Sequence, residues 1–154
     1  MESIGSYLEQ DHARCDELLR EAQQSVRGAS WRQARLDMAA FQHALERHLL
    51  IEERILFPAF ERALGRAVSP TAAMRGEHLR IRAVAQRLSD TVAAHDMGAF
   101  VNHAEALLLL LHQHSEKEEG VLYPMIERVL VRSSAELVGA MQAFGTYAVC
   151  ASAA

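Results

Sequence analysis

The 154-residue chain has little of what interrupts or staples a fold: three prolines, eight glycines, two cysteines and only 6% aromatic residues. Two cysteines, Cys15 and Cys150, cannot form a disulfide framework, so apolar packing must hold the chain together. Basic residues are not in excess. The formal charge is −4, and no Lys/Arg cluster supplies the positive face that nucleic acid or anionic lipid would require. Long hydrophobic runs are missing too. The longest, residues 106–111, falls far short of the roughly 20 residues that span a bilayer. The opening MESIGSYLEQD has neither a basic n-region nor an apolar h-region. No export signal is read, and the expected compartment is the cytoplasm. Neither a nucleic-acid partner nor a membrane is expected.

What is present is helix-forming sequence. Half of the residues are hydrophobic, enough for one compact domain with a single core. Ala, Leu, Glu, Gln and Arg abound without period-two alternation, which predicts helices almost throughout. The first should cover about 3–27 and stop at Gly28, in the left-handed position that follows many helices. The second should cover about 30–64, with Ser30 as N-cap, Gln33 completing a capping box and Gly65 beyond its end. The third opens with Ser69 as N-cap and Pro70 at the first helical position, and ends near His95. Asp96 caps a fourth that reaches about residue 132. Ser133 and Glu136 cap a short fifth. Pro58 and Pro124 fall inside the second and fourth helices, where a kink or local break is expected.

The fold class read from this pattern is all-α: an up-down-up-down antiparallel four-helix bundle over 1–132, with a short amphipathic C-terminal helix and tail over 133–154. Leu137, Met141, Phe144 and Ala148 form an apolar stripe in that tail. The stripe either folds onto the bundle or pairs two subunits, and a homodimer contact is the expectation.

The chain is a duplication. Shifting it by 66 residues carries HLLIEERILFP, from His48, onto HSEKEEGVLYP, from His114, and carries Asp11-His12 onto Glu77-His78. Each copy reads as a lone histidine and then, 36 residues later, HxxxEE. At 1.5 Å per residue, His12 and His48 lie roughly 24 and 30 Å from the first turn, and His78 and His114 roughly 27 Å from the turn near Asp96. All four histidines therefore fall in one layer. A spacing of four turns a side chain by only roughly 40°, so His48 points with Glu52 and His114 with Glu118. A spacing of five turns it by roughly 140°, which leaves Glu53 and Glu119 as surface groups or as outer partners of the ligands. Four imidazoles and two carboxylates in one apolar layer would be costly to bury without a cation. The six suit two metal ions, with iron favoured and manganese or zinc as substitutes, because the donors are nitrogen and oxygen without thiolate.

These motifs resemble the hemerythrin-like HHE cation-binding domain family. The lone His followed by HxxxE, repeated, is matched by His12, His48, Glu52, His78, His114 and Glu118, and the LFP and LYP triplets ending at Pro58 and Pro124 are also similar. The resemblance covers about residues 3–132. It implies a bundle around two iron ions, with Glu52 and Glu118 bridging and an oxo or hydroxo bridge between the irons. The chain departs from the oxygen carriers of the family. Their additional histidine one turn after the third-helix histidine is Arg82 here, and Glu118 follows its histidine by four residues where theirs follows by five. The symmetric four-His, two-Glu set is similar to that of di-iron proteins proposed to repair oxidative and nitrosative damage, although the cysteine-containing N-terminal domain of many of those is not found.

The expected function is binding of a small ligand, O2 or NO, for sensing, storage or stress response. The alternative is a redox enzyme that acts on peroxide or repairs damaged iron–sulfur centres. The 66-residue shift places Arg82 opposite Asp16, and the two are expected either to pair above the metals or to form a plain surface pair. His43 and His112 are expected in solvent, His103 against Asp37, Cys15 as a core thiol, and Phe57 and Tyr123 closing the core.

Overall fold

In a computed structural model, residues 2–145 are described, and they are helical almost throughout. Ala148 and Cys150 lie outside the described residues. Helix α1 (Ile4–Arg27) begins with a capping box in which Ser3 and Ser6 exchange backbone and hydroxyl hydrogen bonds, both 3.0 Å. Gly28 is not left-handed (φ −79°); Ala29 takes the positive φ of 52°. Helix α2 (Trp31–Ile51) starts without the expected box, because the Gln33 amide donates to Asp37 (2.8 Å) and Ser30 makes no capping bond. Helix α3 (Phe57–Leu64) continues from α2 and ends at Gly65 in the left-handed conformation (φ 72°); α4 (Ser69–Ala93) follows with Val68 as its N-cap, so Ser69 is already helical. Asp96 does cap α5 (Met97–Lys117), accepting from the Ala99 N–H at 3.0 Å.

Neither internal proline breaks its helix. A π-helical turn, Glu52–Leu56, joins α2 to α3 (Phe57–Leu64), and a second, Glu118–Leu122, joins α5 to α6 (Tyr123–Val129). Each proline then lies in the first turn of the following α-segment, where a missing N–H costs least. The expected kink is therefore one wide turn per copy, starting at the glutamate of HxxxE. Helix α6 ends before residue 132, and a short 3-10 turn leads into α7 (Ser134–Ala143).

Helix α1 packs against α2 and α5, and α4 packs against the same two, which closes a helical bundle around a central axis. Its interior is two apolar clusters with a polar layer between them. Leu19, Phe41, Leu88 and Leu107 belong to one cluster; Leu8, Phe57, Phe60 and Ile126 belong to the other. Helix α7 adds Val138 and Met141 to the second cluster. The Arg47 guanidinium holds α7 there by donating to the carbonyls of Met141 (2.8 Å) and Phe144 (3.3 Å). The apolar stripe of the tail is thus at least partly spent on its own bundle. No helix among the described residues is long and apolar enough to cross a membrane.

Candidate metal centre

The polar layer consists of His12, His48, Glu52, His78, His114 and Glu118, and the structure brings all six together. Their donor atoms form two groups of four, His12/His48/Glu52/Glu118 and Glu52/His78/His114/Glu118, each with ligand atoms within 4.8 Å of one another. Both groups contain Glu52 and Glu118. The two carboxylates split their oxygens between the groups. Glu118 Oε2 lies 3.1 Å from His12 Nε2 and Glu118 Oε1 lies 2.8 Å from His114 Nε2. Glu52 Oε1 lies 3.7 Å from His48 Nε2 and Glu52 Oε2 lies 3.0 Å from His78 Nε2.

Every histidine turns Nε2 inward because a carboxylate holds Nδ1 from outside. Glu119 accepts from His12 at 2.7 Å, Asp11 from His48 at 3.2 Å, Glu53 from His78 at 2.8 Å and Glu77 from His114 at 3.1 Å. Such a bond fixes the tautomer and ring orientation and raises the basicity of the inward nitrogen. Glu53 and Glu119 are therefore outer partners of the inward-facing histidines and not solvated face groups. Each adjacent Glu-Glu pair grips both nitrogens of the lone histidine in the other copy: Glu52 and Glu53 on His78, Glu118 and Glu119 on His12. A regular helix turns neighbouring residues apart by roughly 100°, so this grip depends on the wide turn that begins at each pair and on the neighbouring helix.

The electrostatics are those of a site built for positive charge. Burial depresses the His12 imidazolium, but hydrogen bonding and charge from Glu118 outweigh it and push the pKa up to about 9. The same contest at His78, won by Glu118 and Glu52, pushes it up to about 10, and His114 is raised likewise against burial. Burial would raise Glu118, yet bonds from His114, His12 and His78 hold it well below the usual carboxylate range.

Tyr123 is the site residue the sequence reading missed. Its hydroxyl reaches Glu52 Oε1 at 2.5 Å and Glu118 Oε2 at 2.8 Å, and lies 3.3 Å from His12 Nε2. Phe57, its counterpart in the other copy, has no hydroxyl but stacks on His78 as Tyr123 stacks on His12, each with ring centroids 5.9 Å apart. The signal was available: one copy reads LFP and the other LYP, a hydroxyl added at one position of an otherwise matched motif.

Arg82 does not meet Asp16. Its guanidinium binds Glu53 through two nitrogens (2.8 and 3.1 Å) and Glu46 through two (2.9 and 3.0 Å), because α4 lies beside α2. Asp16 is exposed and lines a cleft of about 570 Å³ with His12, Arg20, His112 and Glu119. Asp37 is taken by Ser25 (2.5 Å) and Gln33, not by His103. His43 and His112 are exposed. Cys15 is buried, which pushes its thiol up to about 12. It helps line a cavity of about 20 Å³ against His12, His48 and His114, walled by Leu45, Leu49 and Leu111.

Whether these residues fit a metal can be judged from the donors alone. Four buried polar atoms have no hydrogen-bond partner among the described residues beyond the ion pairs they form with one another: Glu52 Oε2 with His78 Nε2, and Glu118 Oε1 with His114 Nε2. The mutual attraction of a buried ion pair only partly offsets the cost of its lost hydration, and here the two pairs are the donor set of one group. A divalent cation would be ligated by all four. The family model for the hemerythrin HHE cation binding domain matches residues 3–141. No curated protein matches the chain, and no solved structure does.

Proposed function

The chain belongs to the hemerythrin HHE cation-binding family, and from that premise we propose that it is a di-iron protein that binds a small diatomic ligand, O2 or NO, for sensing, storage or stress response. In this reading the bundle is up-down-up-down and antiparallel, and the protein works in the cytoplasm. His12 and His48 would hold one iron, His78 and His114 the other, and Glu52 and Glu118 would be shared by both. The observation that carries the reading is the sharing of Glu52 and Glu118 by the two donor groups. Donors that are all nitrogen and oxygen, with Cys15 kept protonated by burial, fit iron, with manganese or zinc as substitutes.

When bound, the iron pair supplies the electrons and open coordination positions that a diatomic ligand needs. The chain's own part is to orient, exclude and donate. Asp11, Glu53, Glu77 and Glu119 fix the imidazoles, the leucine walls keep the layer dry, and the cavity of about 20 Å³ beside three of the histidines exceeds the roughly 10–15 Å³ that a single water needs. Tyr123 is the one feature that favours the second reading, a redox enzyme acting on peroxide or repairing iron–sulfur centres, because a phenol at the shared carboxylates can hand a proton inward. Protein reconstituted with ferrous iron under anaerobic conditions and exposed separately to O2 and NO tests the proposal. A reversible ligand spectrum without turnover supports the binder; sustained consumption of peroxide with a reductant supports the enzyme. Fewer than two irons per chain would overturn both. A homodimer through the outer face of α7 is the proposed assembly, and light scattering on the eluting full-length chain decides it.

A further inference from the structure

The two donor groups are related by the 66-residue shift, yet their surroundings are not. The donors of the second group meet only one another, His78 Nε2 with Glu52 Oε2 at 3.0 Å and His114 Nε2 with Glu118 Oε1 at 2.8 Å. The donors of the first group are tied to one another and to a fifth side chain. His12 Nε2 lies 3.0 Å from His48 Nε2, and the Tyr123 hydroxyl sits on Glu52 Oε1 and Glu118 Oε2, the two oxygens that face this group. A cation entering the second group therefore separates two histidine–carboxylate pairs and displaces no other side chain. Entering the first, it must displace Tyr123 from both carboxylates and separate His12 from His48.

The outer carboxylates differ in the same sense. Glu53, behind His78, is clamped by Arg82, which is itself held by Glu46; Glu77, behind His114, accepts from Lys117 at 3.0 Å. Among the described residues, Asp11 and Glu119, behind His48 and His12, have only those histidines as hydrogen-bond partners. The second group is thus held in place before it binds anything. One effect opposes this order, since the unneutralised charge of Asp11 and Glu119 attracts a cation to the first group. Glu119 is 39% exposed and an imidazole ring separates each carboxylate from the donors, so solvent screens that attraction more than the bonds at the centre.

We infer that the two positions fill in order, the ion held by His78 and His114 first and the ion held by His12 and His48 second, with Tyr123 setting the gap between the two affinities. The inference rests on the two-ion reading above. Its consequence is a stable one-ion form in which the first group stays closed by Tyr123, so that occupancy of the second ion can follow metal supply.

Zinc(II) titration of the full-length protein, with the imidazole nitrogens of each histidine followed by NMR, tests it. His78 and His114 should shift with the first equivalent and His12 and His48 with the second. Tyr123→Phe places at this position the side chain that Phe57 provides in the other copy, and should tighten the second step about tenfold with the first unchanged. Arg82→Met should weaken the first step by about 10- to 100-fold. His12 and His48 responding first, or all four histidines moving together, overturns the order while leaving two bound ions. A second step that does not tighten in Tyr123→Phe overturns the part assigned to Tyr123. Saturation at one ion on His78 and His114 supports the preference and overturns the two-ion reading.

Discussion

Each inward histidine has one nitrogen committed to an outer carboxylate and one aimed at the centre, so the fate of a single proton decides whether it can take a cation. His12 and His78 are raised to about 9 and about 10 from an ordinary 6.5. A histidine raised in the folded state contributes stability that is complete below about pH 6.5 and lost as pH rises through the folded value. Chelator-stripped protein should therefore melt at falling temperature from pH 6.5 to 10. Cation affinity should rise over the same window, with proton release on uptake measurable by pH-stat; a melting temperature that climbs with pH would contradict this. The outer carboxylates give a second prediction. Glu119→Ala should weaken cation binding by about 10- to 100-fold, read by competition with a chromogenic chelator, while helix content by circular dichroism stays unchanged. The second glutamate of each EE pair was the hardest residue to place from the sequence. Its direction depends on a wide turn that spacing rules for a regular helix do not contain.

At the scale of elements, the π-helical turns answer a question that proline alone raises. Pro58 and Pro124 announce an interruption, but whether the chain kinks, stops or widens depends on what the displaced carbonyls and side chains meet on the next helix. Here the turns begin at Glu52 and Glu118, and each places two consecutive carboxylates on one histidine of the other copy. Helix α7 is a second case. Its apolar stripe was legible, but the surface it covers was not, because Arg47 gives no sign in the sequence that it will hold the carbonyls of Met141 and Phe144. Truncation after Ser133 should remove the burial of Val138 and Met141, worth roughly 1.5–3 kcal/mol each. It should lower the urea midpoint visibly; an unchanged midpoint would show that α7 adds nothing to the bundle.

For the molecule as a whole, an ionisable layer lies between two apolar clusters, an arrangement that is expensive unless the layer is matched in charge. The imidazoles and carboxylates match each other in part, and a cation completes the match. Zinc(II) or ferrous iron at 100 times its dissociation constant should stabilise the fold by about 2.7 kcal/mol per site, seen as a rise in melting temperature that EDTA reverses. No rise would mean that the layer does not hold a cation in the folded state.

Chain order settled the duplication, the helical class and the convergence of six residues on one layer, because helix rise and turn are local quantities that counting along the chain can propagate. It could not say that Arg82 faces Glu46 and Glu53 instead of Asp16, that the Tyr123 hydroxyl binds both shared carboxylates, or that only one donor group is tied to a side chain beyond its own four. Those facts depend on which helices become neighbours and how each is rotated. Packing the two copies against each other turns a repeated motif into two unequal halves.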